Sequence, residues 1–365
     1  MKGGNNNMSI TAVDLFCGIG GLTHGLENVG IPVSAGFDID ESCQFSYEKN
    51  NNARFICRDV ATLTYNDIKE FYPEDSIKIL VGCAPCQPFS RYSGKYRKNG
   101  HKDDKWKLLY SFLEIIKECT PEIVSMENVP GLMQEQVFND FKVSLIRLGY
   151  NIDVNVVDCA SYGVPQRRKR LVLLASRLGA IPLIPPTYDK ENYLTVRDFI
   201  GNLPPIQDGE TFLKDTLHSA SKLSKINKKR IQQSKQGGTW RDWDENLKLT
   251  CHKKTSGMSF PSVYGRMEWD KPSPTITTQF FGYGNGRFGH PEQDRAISLR
   301  EGALLQSFPS DYVFFDTNSA FVRREIAAHI GNAVPVKLGQ TIGLSIKKHF
   351  IEVGVNEENN KKQTG

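Results

Sequence analysis

Short apolar runs alternate with amphipathic stretches through the first 180 residues, and this rhythm limits the chain to very few architectures. Ile10 to Phe16, Val33 to Phe37, Ala53 to Ile56, Ile77 to Val81, Glu122 to Met126 and Arg170 to Ala175 read as strands. Leu22 to Val29, Glu41 to Asn50, Trp106 to Glu118 and Asn139 to Leu148 carry helical periodicity between them. Strand and helix in turn imply βαβ units, hence an α/β fold with a Rossmann-like, mostly parallel sheet covered on both faces. Ligands of such sheets gather at the carboxyl ends of the strands.

The rhythm breaks near Gly179. Ile181 to Thr187 is proline-rich, the stretch after it is polar and lysine-rich, and glycine and aromatics dominate from Gly257 to Gly289. Helical patterning returns over Phe321 to Ala328 and Lys337 to Phe350. The expected organisation is a catalytic domain over 8–180 and a smaller irregular domain over 181–294. A return segment over 295–350 completes the first domain, and flexible tails cover 1–7 and 355–365. A net charge of +5 is modest, but Lys214 to Lys254 hold 11 of the 46 basic residues and only 4 of the 41 acidic ones. The positive charge is therefore concentrated in the second region, which favours a polyanion as its partner. No apolar run approaches the roughly 20 residues of a membrane span, and no export signal is evident. The eight cysteines are accordingly expected as free thiols in a reducing compartment. Cys83 and Cys86 make a Cys-x-x-Cys without a second ligand pair to complete a metal shell, so no metal is expected.

Three strand ends carry chemistry. After the first comes Asp14-Leu-Phe-Cys-Gly-Ile-Gly-Gly21, where Gly18, Gly20 and Gly21 let backbone approach a ligand and a helix N-terminus follows. Asp38, ending the second strand, is placed to accept ribose hydroxyls, and Asp59, after the third, an adenine amino group. These residues suit an adenosine-containing cofactor and leave open a dinucleotide or S-adenosylmethionine. After the fourth comes Pro85-Cys86-Gln87-Pro88, which sets a thiol on a turn, where its thiolate is available as a nucleophile. The run from Gln87 to Lys105 is basic and contains glycine, the character of a lid over a phosphate-bearing substrate. Glu127 follows the fifth strand; burial among apolar neighbours would favour its neutral acid, a proton donor. Alternation directs Arg168 and Arg170 to one face, where guanidinium groups can hold a carbonyl or phosphate oxygen.

With these motifs in this order, together with Phe37-Asp-Ile39, Arg58-Asp59, Gly82 to Ser90, Met126-Glu-Asn-Val129, Gln166 to Arg170, Arg300-Glu301, Leu305 to Pro309 and Gly331 to Pro335, the chain resembles the C5-cytosine DNA methyltransferases from about Thr11 to Ser345. The resemblance implies S-adenosylmethionine as cofactor, held by Phe16, Gly18, Gly20, Gly21, Asp38, Ile39, Asp59, Pro85, Leu108 and Asn332. It implies that Cys86 adds to C6 of a flipped cytosine, with Glu127, Arg168 and Arg170 around the base. Double-stranded DNA would be held by Gln87, Ser90, Arg91, Ser93, Gly94, Lys95 and Arg97 of the active-site loop. Region 181–294 would be the target-recognition domain, with Arg266, Asn285 and Arg287 reading base edges. It further implies a cytoplasmic bacterial or phage enzyme, monomeric, protecting DNA beside a restriction endonuclease. The rival readings are an RNA (tRNA) cytosine-5 methyltransferase of the same fold, an NAD-dependent oxidoreductase on the same sheet, and an inactive DNA-binding module. The first lacks its Cys-Phe-Thr signature here, the second leaves Cys86, Glu127 and Arg168 unexplained, and the third is at odds with an intact nucleophile and acid.

Overall fold

A computed structural model describes residues 9–85, 106–254 and 261–355. The chain forms two compact units: Met1–Val157, Lys169–Pro185 and Val336–Gly365 make the first, Asp158–Arg168 and Pro186–Pro335 the second.

The first unit is built on seven strands: β1 (Ile10–Leu15), β2 (Val33–Asp38), β3 (Arg54–Cys57), β4 (Ile77–Gly82), β5 (Ile123–Asn128), β6 (Asn151–Asp158) and β7 (Lys169–Ser176), in the order β3-β2-β1-β4-β5-β7-β6. The pairs β1–β2, β2–β3, β1–β4 and β4–β5 are parallel and β5–β7 is antiparallel. Every residue of β1 and β5 is buried, as expected of central strands covered on both faces. All six expected strands form. The strand that the apolar runs did not announce is β6, which lies at the sheet edge; only Val157 on it is fully buried, so its apolar signal is weak.

Helices α1 (Gly21–Glu27), α2 (Gln44–Asn50), α3 (Tyr65–Ile68), α4 (Lys107–Cys119) and α5 (Gln136–Arg147) accompany the sheet. On α4 the buried set Leu109, Phe112, Leu113, Ile116 and Cys119 follows helical spacing. The helix stops where Thr120 turns left-handed (φ 44) ahead of Pro121. The last helix, Val336–Glu352, packs on α1 through two glycines. A Cβ on Gly25 would lie 2.6 Å from the Val336 carbonyl oxygen, and one on Gly339 3.0 Å from that of Leu22. Only hydrogen fits at either place, so this close approach ties the distant C-terminal helix to the helix that follows the glycine turn.

The second unit is poor in regular structure. Helix Leu299–Leu305 packs against Val196–Ile200 and Arg323–Asn332 within it. Here the units differ from the expected boundaries. Of the segment 295–350, only the part from Val336 groups with the first unit, and Asp158–Arg168 group with the second. The reason is visible at Gln166, whose Nε2 donates to Leu305 O (3.1 Å) and Gln306 Oε1 (2.9 Å) while its Oε1 accepts from Ile276 N (2.9 Å). Helical periodicity shows that a face is buried but not which body covers it.

Candidate active site

Parallel register brings four strand ends onto one line. Leu15 pairs with Phe37 on β2 and with Gly82 on β4, and Gly82 pairs with Met126 on β5. The next residues along, Phe16, Asp38, Cys83 and Glu127, therefore sit side by side at the carboxyl edge. Strand order reverses direction between β1 and β4, so the loops that follow diverge and leave a crevice there.

The β1 turn is bent into shape by positive φ at Phe16 (61), Gly18 (51) and Gly20 (86), the last being the residue that caps α1. Gly18 N donates to Asp38 Oδ2 at 2.8 Å and Asp40 N to Asp38 Oδ1 at 3.0 Å. Asp38 thus fixes the loop through both of its oxygens; its burial pushes its pKa up, against the backbone hydrogen bonds it accepts from Asp40, Gly18 and Ile39. A Cβ at Gly18 would meet nothing within 4 Å, so the turn borders open space there. Ile39 beyond it is 67% exposed, a bare apolar surface beside the crevice. Asp59 caps the next turn by accepting from Ala61 N at 2.9 Å. Pro85 and Leu108 are half-buried, Leu108 in the first turn of α4. Asn332 is exposed at the end of its helix in the second unit.

Beneath the turn lies a buried polar chain that the motif alone did not reveal. Thr23 Oγ1 donates to Asp14 Oδ2 at 2.8 Å and lies 3.0 Å from the Tyr47 hydroxyl. Thr23 has one hydrogen, so once it serves Asp14 the hydroxyl of Tyr47 must be the donor. Burial raises the Asp14 pKa to about 7, against the lowering bond from Thr23 and with help from Asp38. An acid whose folded pKa lies above its unfolded one loses stability as pH rises between the two. For Asp14 that window runs from about 4 to about 7. Asp14→Asn, which still accepts from Thr23, is therefore expected to stabilise the protein above pH 7, by on the order of 4 kcal/mol at most. Melting curves at pH 5 and pH 8 check this: the variant should gain only at the higher pH.

At the other side of the crevice Glu127 is 2% exposed. Cys83 Sγ donates to its Oε2 at 2.7 Å, and Arg170 Nε lies 2.7 Å from its Oε1. Asn128 Nδ2 donates to Ala84 O at 2.9 Å, which pins the backbone just after β4 to β5. Arg168 takes a different part from Arg170. It is 3% exposed, and its guanidinium bonds Ile276 O (3.0 Å) and Gly331 O (3.3 Å) in the second unit. Cys86, Gln87, Ser90, Arg91, Ser93, Gly94, Lys95 and Arg97 lie outside the described residues.

In the second unit one expected base reader is corrected. Arg266 is 4% exposed and its guanidinium bonds the carbonyls of Ser234, His290, Gln293 and Ile231 and the carboxylate of Asp294. A side chain so enclosed ties loops together and has no face left for a base edge. Arg287, half-buried, holds the Gly237 and Gly238 carbonyls, while Asn285 is exposed. The lysine-rich run is also divided. Arg230 is buried, with Nε on Leu247 O and its guanidinium over Trp243 and Tyr264. Lys228 donates to Asp294 O, whereas Lys225, Lys229 and Lys235 are exposed. Burial needs packing to predict, and a charge run alone carries no sign of it.

No helix among the described residues is long and apolar enough to cross a membrane. The sequence model of the C-5 cytosine-specific DNA methylases matches residues 10–348. The chain is 53% identical over 348 residues to the Type II methylase M.HgiDII of Herpetosiphon aurantiacus, covering 94% of this chain and 96% of that one. It is 30% identical to the Type II methyltransferase M1.HphI of Haemophilus parahaemolyticus, over 93% and 87% of the two chains. Among solved structures, a prophage-encoded candidate DNA modification methyltransferase of Escherichia coli superposes with a TM-score of 0.70 at 23% identity, over 93% and 99% of the chains. The Spodoptera frugiperda DNMT2 mutant gives 0.65 at 18%, over 93% and 100%. These last two show the fold. A glycine turn and a buried Glu–Arg pair at the strand ends, in a sequence matched nearly end to end, place the chain in the family of C-5 cytosine-specific DNA methylases.

Proposed function

We propose that the chain transfers a methyl group from S-adenosylmethionine to C5 of a flipped cytosine in a specific duplex DNA sequence, as the protective methylase of a restriction–modification system. The observation that supports this reading is the shared rung of Phe16, Asp38, Cys83 and Glu127, which sets the glycine turn beside Glu127.

The residues of the β1 crevice fit the cofactor. The open face at Gly18 would admit its methionine end, Asp38 would accept the ribose hydroxyls, Ile39 would cover the adenine, and Asp59 would accept from the adenine amino group. Phe16, Gly20, Gly21, Pro85 and Leu108 complete the proposed set. When bound, the cofactor supplies a methyl carbon activated on a sulfonium.

Cytosine C5 is a poor nucleophile. Addition of the Cys86 thiolate to C6 makes the ring enamine-like at C5, and a proton from Glu127 to N3 takes up the negative charge that addition puts on the ring. After methylation, loss of the C5 hydrogen as a proton restores the ring double bond and expels the thiolate. Arg170 aligns the Glu127 carboxyl, and Arg168 braces the segment at Ile276 and Gly331. A stacked cytosine cannot present C6 to a thiol, so the base leaves the helix, and Ser93-Gly94 enter the space it vacates. Lys225, Lys229 and Lys235 grip phosphates, while Asn285 and Arg287 are placed in the glycine-rich loops proposed to read bases.

Incubation with cofactor and duplexes bearing 5-fluorocytosine at the mapped target tests the reading. Fluorine at C5 cannot leave as a proton would, so the expected result is a stable protein–DNA adduct whose labelled peptide contains Cys86. No adduct, or methyl transfer to tRNA and not to duplex DNA, overturns it.

A further inference from the structure

Nothing in the scheme above uses Cys83, yet its thiol occupies one oxygen of the proposed acid. We infer that Cys83 is a positioning residue for Glu127, holding its carboxyl in line without fixing its protonation state; the inference rests on the proton-donor role proposed for Glu127.

The geometry follows from the sheet. Gly82 and Met126 are partners in the parallel β4–β5 pair, so Cys83 and Glu127 follow on the same rung with side chains on the same face. Cys83 N donates to Leu15 O at 3.3 Å, which anchors its backbone to the central strand. The thiol meets Oε2 at 2.7 Å and Arg170 meets Oε1 at 2.7 Å, so each oxygen has its own neighbour. Among the described residues the titratable groups against Glu127 are thus Cys83 from the end of β4 and Arg170 from β7.

The two neighbours differ in what they allow. A guanidinium can only donate, and it favours the carboxylate whatever the reaction requires. A second strong donor on Oε2 would hold the group more firmly as an anion and oppose its use as an acid. An apolar side chain would leave a buried oxygen unpaired. A thiol is a weak donor and a weak acceptor, so it tolerates both forms at little cost. While Glu127 is neutral, its O–H is turned to the base, and the sulfur, a weak donor and acceptor, neither takes that hydrogen nor blocks it. When that proton passes to N3 of the base, the O–H bond breaks, and the thiol turns its own hydrogen to the new carboxylate. Sulfur neither gains nor loses a proton over the cycle.

Single-turnover methyl transfer to duplex DNA across a pH range, with Cys83→Ala and Cys83→Ser, provides the test. Removing the thiol should lower the plateau of the pH profile about tenfold as the carboxyl loses alignment. Cofactor affinity and the DNA KM should stay within about twofold, since neither ligand is held by this thiol. The serine hydroxyl, which like the thiol both donates and accepts, should restore much of the plateau. Profiles of both variants that overlay the native one, or a loss confined to melting temperature, overturn the inference. Glu127→Gln separates the two levels of the argument. If it abolishes transfer while both Cys83 profiles stay unmoved, the acid stands and only the role of Cys83 falls; if it leaves transfer intact, the acid role itself is refuted.

Discussion

Glu127→Gln is expected to slow methyl transfer about 10²- to 10⁴-fold while the protein folds and binds cofactor normally. Glutamine matches the shape of glutamate, and its amide can still meet Cys83 and Arg170, so the packing of a side chain only 2% exposed is preserved. What it cannot do is lend a proton to the ring. Addition at C6 must then place negative charge on the base with no acid to receive it, and the barrier rises at the chemical step. The loss should therefore appear in the single-turnover rate with labelled cofactor and not in the affinity for cofactor or DNA. A substitution that raises KM alone would assign Glu127 to binding and remove it from the reaction.

The second large effect concerns stability and lies in the second unit. Arg295 is fully buried and grips Glu301, 1% exposed, through two bonds of 2.7 Å. Glu301 also accepts Ser298 N at 2.6 Å in a capping box at the start of helix Leu299–Leu305. Burial pushes its pKa up, but the charge and hydrogen bonds of Arg295 outweigh this and bring it down to about 2. His290, whose Nε2 lies 3.6 Å from Glu301, is driven by burial down to about 4 and is neutral near pH 7. Glu301→Gln leaves the buried guanidinium without its counter-charge, at an expected cost of about 3–5 kcal/mol. Replacing both partners by apolar residues, Arg295→Met with Glu301→Leu, should cost far less, because no charge is then stranded. Urea titrations of the single and double variants distinguish the outcomes; equal losses would show that shape and not charge dominates there. The sign with pH is fixed by the two depressed values. The Glu301 contribution is complete above about pH 4.5 and is lost as pH falls toward 2, and that of His290 is lost between about 6.5 and 4.

Local patterns carried much of this protein. Continuous apolar runs such as Ile10 to Phe16 identify covered strands because both faces of a central strand are dry, and the glycines after β1 stand where backbone takes φ values that side chains oppose. The ordered motifs pointed to the family that the comparisons then supplied. Edge strand β6 stayed hidden because its half-exposed residues carry little periodic signal.

Along the chain, then, the sequence determined the α/β architecture, the strand-end motifs and the family, since each rests on backbone conformation or on apolar spacing within a few residues. Tertiary structure decided which of the chemically able residues are available. It buried Arg266 and Arg230 as cross-links, separated Arg168 from Arg170, and took most of the return segment into the second unit. It also set the thiol of Cys83 against a carboxylate 44 positions away. Burial, counter-charge and partner depend on contacts between distant segments, and a guanidinium or a thiol reads the same in the sequence whether it faces water, a carbonyl or a substrate.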